Sequence, residues 1–169
     1  MRKGNLSRAM MALSLVIGVL LLAPLASSLP TGIGGSSIQT AGCNCHNSVA
    51  DSTVAANIEG FPEEYNASET YELTISFDGG PSQPGNINLG GFNLWASEGV
   101  FTPTDGLTSL WAGSVNEVVH TEAGNDYTSW VVDWTAPDSG KEVDFILHVN
   151  SVNGDGLQTG QLDQWNRAT

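Results

Sequence analysis

Residues 70–80 read TYELTISFDGG. Tyr71, Leu73, Ile75 and Phe77 alternate with Thr70, Glu72, Thr74 and Ser76. Successive side chains of an extended chain point to opposite faces, so this run makes one apolar and one polar face, a strand with one wet side. The same period of two extends outward in both directions. Val54, Ala56 and Ile58 alternate ahead of it, and Phe92 and Leu94 are set against Asn93 and Trp95. Trp130, Val132 and Trp134 are set against Val131 and Asp133, and Val143, Phe145, Leu147 and Val149 against Asp144, Ile146 and His148. Residues 107–119 predict one or two strands interrupted near Gly113. Between the runs stand GFPEEYNAS, DGGPSQPGN, SEGV, PTDG, EAGND, APDSG and NGDG, rich in the Gly, Pro, Asn and Asp that turns require. No segment carries a long 3.6-residue period, which argues against a doubly wound α/β architecture. The expected fold is all-β: an immunoglobulin-like antiparallel β-sandwich of about seven strands. Tyr71, Leu73, Phe77, Phe92, Phe145 and Leu147 are expected in its core. Trp130 and Trp134 share a face, so at least one should join them.

The N-terminus has a different character. Arg2, Lys3 and Arg8 precede an uncharged apolar run, AMMALSLVIGVLLLAPLA at 9–26, followed by Ser27 and Ser28. A basic start, an apolar stretch and small residues make a secretory signal over residues 1–27, with a retained membrane anchor as the competing reading. No other stretch is long and apolar enough to suggest a membrane span after cleavage. Residues 28–42, ending LPTGIGGSSIQTAG, read as a flexible linker by their Gly and Ser content, and residues 43–169 as the folded domain. All 18 acidic residues lie beyond residue 28, against only Lys141 and Arg167 among the basic ones, a net charge of −16 for the mature chain. That field excludes nucleic acid and anionic lipid as partners and favours a cationic redox or surface protein. Asn66-Ala67-Ser68 is an N-glycosylation pattern on a turn.

The two cysteines stand together in Gly42-Cys43-Asn44-Cys45-His46. Three metal-ligating side chains within four residues point to a cofactor or metal at Cys43, Cys45 and His46. Thiolates suit copper(I), zinc and iron; imidazole suits zinc, iron and copper(II). The order also resembles the haem c attachment motif C-x-x-C-H, shortened by one residue. A disulfide or free thiols are the competing chemistry, since export favours oxidation. A haem or metal needs further ligands, for which His120 and His148 are the candidates, His148 lying on the polar phase of its strand. Asn153 and Asp155, with Asp163, supply oxygens that suit calcium, but the spacing is not that of the twelve-residue calcium loop and a solvated turn accounts for them better.

From residue 41 to 167 the chain is similar to the choice-of-anchor V domain family, and more distantly to the Reeler extracellular domain. The residues that carry the resemblance are Cys43, Cys45 and His46, Gly90-Gly91-Phe92, Trp130, Trp134-Thr135-Ala136-Pro137 and Asn153-Gly154-Asp155-Gly156. The resemblance implies an exported or surface-attached β-sandwich module, Reeler-like in fold, with a Cys-Cys-His start for which some members are labelled cytochrome-like. Such members commonly carry a C-terminal anchor. The sequence ends at Asn166-Arg167-Ala168-Thr169 without one, which fits release, retention by the N-terminus, or a fragment.

No nucleophile elbow, H-E-x-x-H or phosphate-binding glycine loop is present, so no catalytic residue is assigned. Glu63-Glu64 reads as a solvated turn. Two functional readings follow: a redox or metal centre at the cysteine cluster for extracytoplasmic electron transfer, or a cofactor-free adhesion or binding module at the cell surface. Trp95 and Trp111, if exposed on one face, would favour the second.

Overall fold

The computed structural model describes residues 30–81, 83, 85–138, 140–156 and 162–169. The expected signal sequence lies outside the described residues. Nine strands occur among them: β1 Val54–Glu59, β2 Thr70–Gly79, β3 Gly90–Ala96, β4 Val100–Pro103, β5 Thr108–Leu110, β6 Glu117–His120, β7 Ser129–Thr135, β8 Phe145–Ser151 and β9 Gln164–Ala168. They form two antiparallel sheets, β1-β2-β7-β4 and β5-β6-β3-β8-β9. The fold is therefore an antiparallel β-sandwich. Residues 107–119 resolve into β5 and β6, separated by a 3-10 turn at Trp111–Gly113.

Register places the period-two series where its chemistry demands. Tyr71, Leu73 and Ile75 lie opposite Trp134, Val132 and Trp130, so the apolar phases of β2 and β7 share the inner face. In the second sheet Phe92 and Leu94 lie opposite Val149 and Leu147. These faces meet in one core in which Leu73, Ile75, Leu94, Val118 and Val149 are wholly buried. Both Trp130 and Trp134 are buried, and each indole N–H donates to a backbone carbonyl, Gly124 (2.8 Å) and Glu98 (3.2 Å). Indoles go fully inside only when that donor is satisfied. Tyr71 and Phe145 are half-buried, because they sit where the sheets open at one end of the sandwich.

The outer faces differ. In β2 the polar phase meets water, but in β3 every residue except Trp95 is buried, and Leu147 through Ser151 of β8 are buried without alternation. Something must cover the outer face of the five-stranded sheet, and residues 30–46 do. Composition leads one to expect a flexible linker over 28–42. Instead the described part, from residue 30, forms a strap across β6, β3 and β8. The Gly32 N–H donates to the His120 carbonyl at 2.9 Å, and the Gly35 N–H to Glu117 Oε1 at 2.7 Å. A short helix, α1 (Ser36–Ala41), follows and buries Ile38. It ends at Gly42, whose positive φ of 68° lets its N–H bond the Ile38 carbonyl while its bare Cα lies against the Trp165 ring. The glycines that suggest flexibility serve close packing: Gly32, Gly34 and Gly42 are all buried.

Candidate functional site

The strap does not lie flat. Between it and β3, β6 and β8 runs a cleft of about 280 Å³. Apolar side chains of Ile33, Ile38 and Phe92 form part of its wall, with Asn93, Asn150 and His120 from the sheet. Cys43, Cys45 and His46 form another part, joined by Asn153. On the sheet side Gly91 has no side chain, which lets the His120 ring lie where a Cβ would otherwise stand.

The cysteine cluster is a tight turn, with the His46 N–H donating to the Cys43 carbonyl at 3.0 Å. Both cysteines are free thiols, Cys45 exposed and Cys43 half-buried. Burial, reinforced by the neighbouring Cys45, pushes the Cys43 thiol up to about 12, so it stays protonated at neutral pH. His46 Nδ1 lies 2.8 Å from Oδ2 of Asp163, which is wholly buried and also accepts the Asn153 N–H at 3.2 Å. The pair fixes the ring orientation and leaves Nε2 as its other nitrogen.

His120 joins the cleft, as a ligand search by residue type would wish. Its Nδ1 accepts the Phe92 N–H at 3.1 Å in the neutral ring, and burial holds its pKa below the usual 6.5. His148 does not join. It lies on the outer phase of β8, as expected, but is wholly buried rather than polar-facing, because the strap and β9 cover it. Its ring centre is 6.0 Å from that of Trp165, and neither ring nitrogen has a hydrogen-bond partner. Burial, with the charge of Arg167 opposite, lowers its pKa to about 4. Asn153 and Asp155 bond each other: Asn153 Nδ2 donates to Asp155 Oδ2 (2.9 Å) and the Asp155 N–H to Asn153 Oδ1 (3.1 Å). Asp163 contacts both groups, with Oδ1 accepting from the Asn153 N–H and Oδ2 beside His46 Nδ1.

Among the described residues no three His, Cys, Asp or Glu side chains are arranged to hold one metal ion. The cleft, at about 280 Å³, is close to the lower end of the roughly 300–1,000 Å³ spanned by sites for drug-sized ligands. Trp95 and Trp111 are half-buried rather than open, with Trp111 packed against Gly34 of the strap. They do not make an exposed aromatic face.

Two residues absent from the sequence-level candidates, Asn93 and Asn150, line the cleft, and a third, Glu117, holds the strap beside it. Glu117, only 4% exposed, accepts from Gly35 and from Asn93 Nδ2 (2.8 Å), and so ties strap to sheet. Asn93 and Asn150 are 3% and 9% exposed, and the side-chain carbonyl oxygen of each has no partner. The sequence signal for them was weak: polar residues on the outer phase of strands that looked solvated. Only Gly90-Gly91, suited to a close backbone approach, hinted that this face is covered.

No protein-family model matches the chain, and no curated protein does. Among solved structures it is similar to the Reelin-N domain of F-spondin, at 20% identity and a TM-score of 0.45, over 79% of this chain and 97% of that one. It is also similar to a human F-spondin reeler domain, at 22% identity and a TM-score of 0.42, over 71% and 91% of the two chains.

Proposed function

We propose that this chain is an extracytoplasmic binding module whose ligand occupies the cleft between the strap and the five-stranded sheet. The observation that carries the reading is the pair of orphaned carbonyl oxygens on Asn93 and Asn150, buried in the wall of a partly apolar cleft. A buried acceptor without a partner costs about 1–3 kcal/mol, so a ligand whose N–H or O–H donors draw these two side-chain oxygens round to face the cleft recovers that free energy. The ligand is thus a small molecule with donors for the two asparagines and an apolar part for Ile33, Ile38 and Phe92. Cys43, Cys45, His46, His120 and Asn153 complete the contact surface. The basic, apolar and small-residue order of residues 1–28 supports an extracytoplasmic location. No helix among the described residues is long and apolar enough to cross a membrane.

Titration of isotopically labelled protein with short alkylamides, alkylamines and methyl glycosides tests this. A binder should shift the side-chain amide signals of Asn93 and Asn150 together with the Gly91 amide, and Asn150→Leu should abolish the response. Saturation that leaves those signals unmoved would remove the cleft from consideration.

One observation favours a second reading, attachment of a redox or metal group at Cys43 and Cys45. The His46–Asp163 pair has the form of a histidine oriented by a buried carboxylate, an arrangement common behind metal ligands. Intact mass of denatured native protein and elemental analysis separate this reading from the first.

A further inference from the structure

A second cleft, of about 630 Å³, opens at the end of the sandwich where Tyr71 and Phe145 are half-buried. It lies between the segment that follows β1 and the segment that precedes β8. Its floor is aromatic: Phe61, Tyr65, Trp134 and Phe145. The rings pack in sequence, with centroids 4.2 Å apart for Phe61–Phe145, 5.0 Å for Phe145–Trp134 and 5.8 Å for Trp134–Tyr65. Its rim carries Glu63, Glu64 and Glu142, all exposed.

The polar atoms of this floor are already engaged within the protein. Tyr65 Oη donates to the Lys141 carbonyl at 2.6 Å, and Trp134 Nε1 to the Glu98 carbonyl. Beyond them a ligand meets aromatic carbon and the aliphatic surface of Pro62 and Val143. The lining contains one cation, Lys141, and its Nζ is bound to Glu98 Oε1 at 2.9 Å. The three rim carboxylates form no ion pair among the described residues. The cleft therefore combines ring surface with uncompensated negative charge.

We infer that this cleft binds a small solute carrying a quaternary ammonium group and no adjacent carboxylate, held by the half-buried rings of Phe61, Tyr65 and Phe145 above the buried Trp134 and attracted by Glu63, Glu64 and Glu142. A primary ammonium has three N–H donors to satisfy, and the floor offers few acceptors for them. A quaternary ammonium has no donor, and its positive charge is drawn to the electron-rich ring systems. A zwitterion such as a betaine brings a carboxylate into a rim of like charge, and a phosphocholine lipid head brings a phosphate, so the occupant is a free cation. This site is separate from the strap cleft, and its occupancy leaves Asn93 and Asn150 untouched.

The test is titration of the exported protein with tetramethylammonium, choline, ethanolamine and glycine betaine, and with phosphatidylcholine vesicles, read by the indole signal of Trp134 and by calorimetry. Choline and tetramethylammonium should saturate the site, with choline about tenfold tighter than ethanolamine, a difference within the range of one desolvated cation–π contact. Betaine and vesicles should bind more weakly than choline. The E63Q/E64Q/E142Q variant, altered only at exposed positions, should keep its melting temperature and lose severalfold in choline affinity. Equal binding of ethanolamine and choline, tighter binding of vesicles, unchanged affinity in the triple variant, or no response to tetramethylammonium would each overturn the inference.

Discussion

Replacing Glu117 with alanine should loosen the strap without disturbing the sandwich core. Glu117 Oε1 accepts from the Gly35 N–H at 2.7 Å and from Asn93 Nδ2 at 2.8 Å. Hydrogen bonds to a charged group are each worth about 1.5–3 kcal/mol. The two losses differ in consequence. Gly35 is half-exposed, so its N–H finds water when the strap lifts, whereas Asn93 is 3% exposed and its amide does not. Removing a buried carboxylate also removes its own desolvation cost, which offsets part of the loss. The net destabilisation should be roughly 2–4 kcal/mol, with Glu117→Gln near 1 kcal/mol because it retains an acceptor. Denaturant unfolding measures the sum. Amide exchange locates it: Gly35 and the α1 amides should lose protection, and the β2 and β7 amides should exchange only in proportion to global stability. If Glu117→Ala changes stability by less than about 0.5 kcal/mol, the level of an ordinary surface substitution, and Gly35 exchange is unaltered, the strap is not anchored as described.

The buried His148 makes stability depend on pH. Its native pKa of about 4 lies below the usual 6.5, so the unfolded chain takes up the proton first and stability falls as pH drops from 6.5 towards 4. The full span corresponds to roughly 3 kcal/mol. His148→Leu should flatten that part of the profile while keeping stability at pH 7.5 equal or higher, because neither ring nitrogen has a partner to lose; a variant with the parental slope would refute the assignment. Gly91→Ala should destabilise the protein by about 1–3 kcal/mol by overpacking against the His120 ring. The double variant Gly91→Ala/His120→Ala should recover part of that loss in thermal unfolding, and failure to do so would mean the clash lies elsewhere.

The sandwich was legible in the sequence wherever one strand face meets water. Residues 70–77 and 129–135 alternate in structure as they do in sequence, since each has one buried face. Legibility failed where both faces are buried. Asn93, His148 and Asn150 occupy the outer phase of β3 and β8, and period alone labels them solvated. Only a segment far away in sequence makes them interior, and residues 30–42 read as a linker because the strap uses glycine for proximity rather than freedom. The cysteine turn was visible from ligand chemistry, and His120 does reach the same cleft. Metal geometry is not legible from residue type: His46 is turned to Asp163, Asn153 to Asp155, and His148 lies under the strap rather than beside them.

Mass spectrometry of the protein isolated from its source, under native and then denaturing conditions, tests the binding-module account most directly. The account predicts a small adduct that accompanies the folded chain, disappears on denaturation, and leaves Cys43 and Cys45 unmodified. A covalent adduct on those cysteines that survives denaturation, or a bare chain under both conditions, would contradict it.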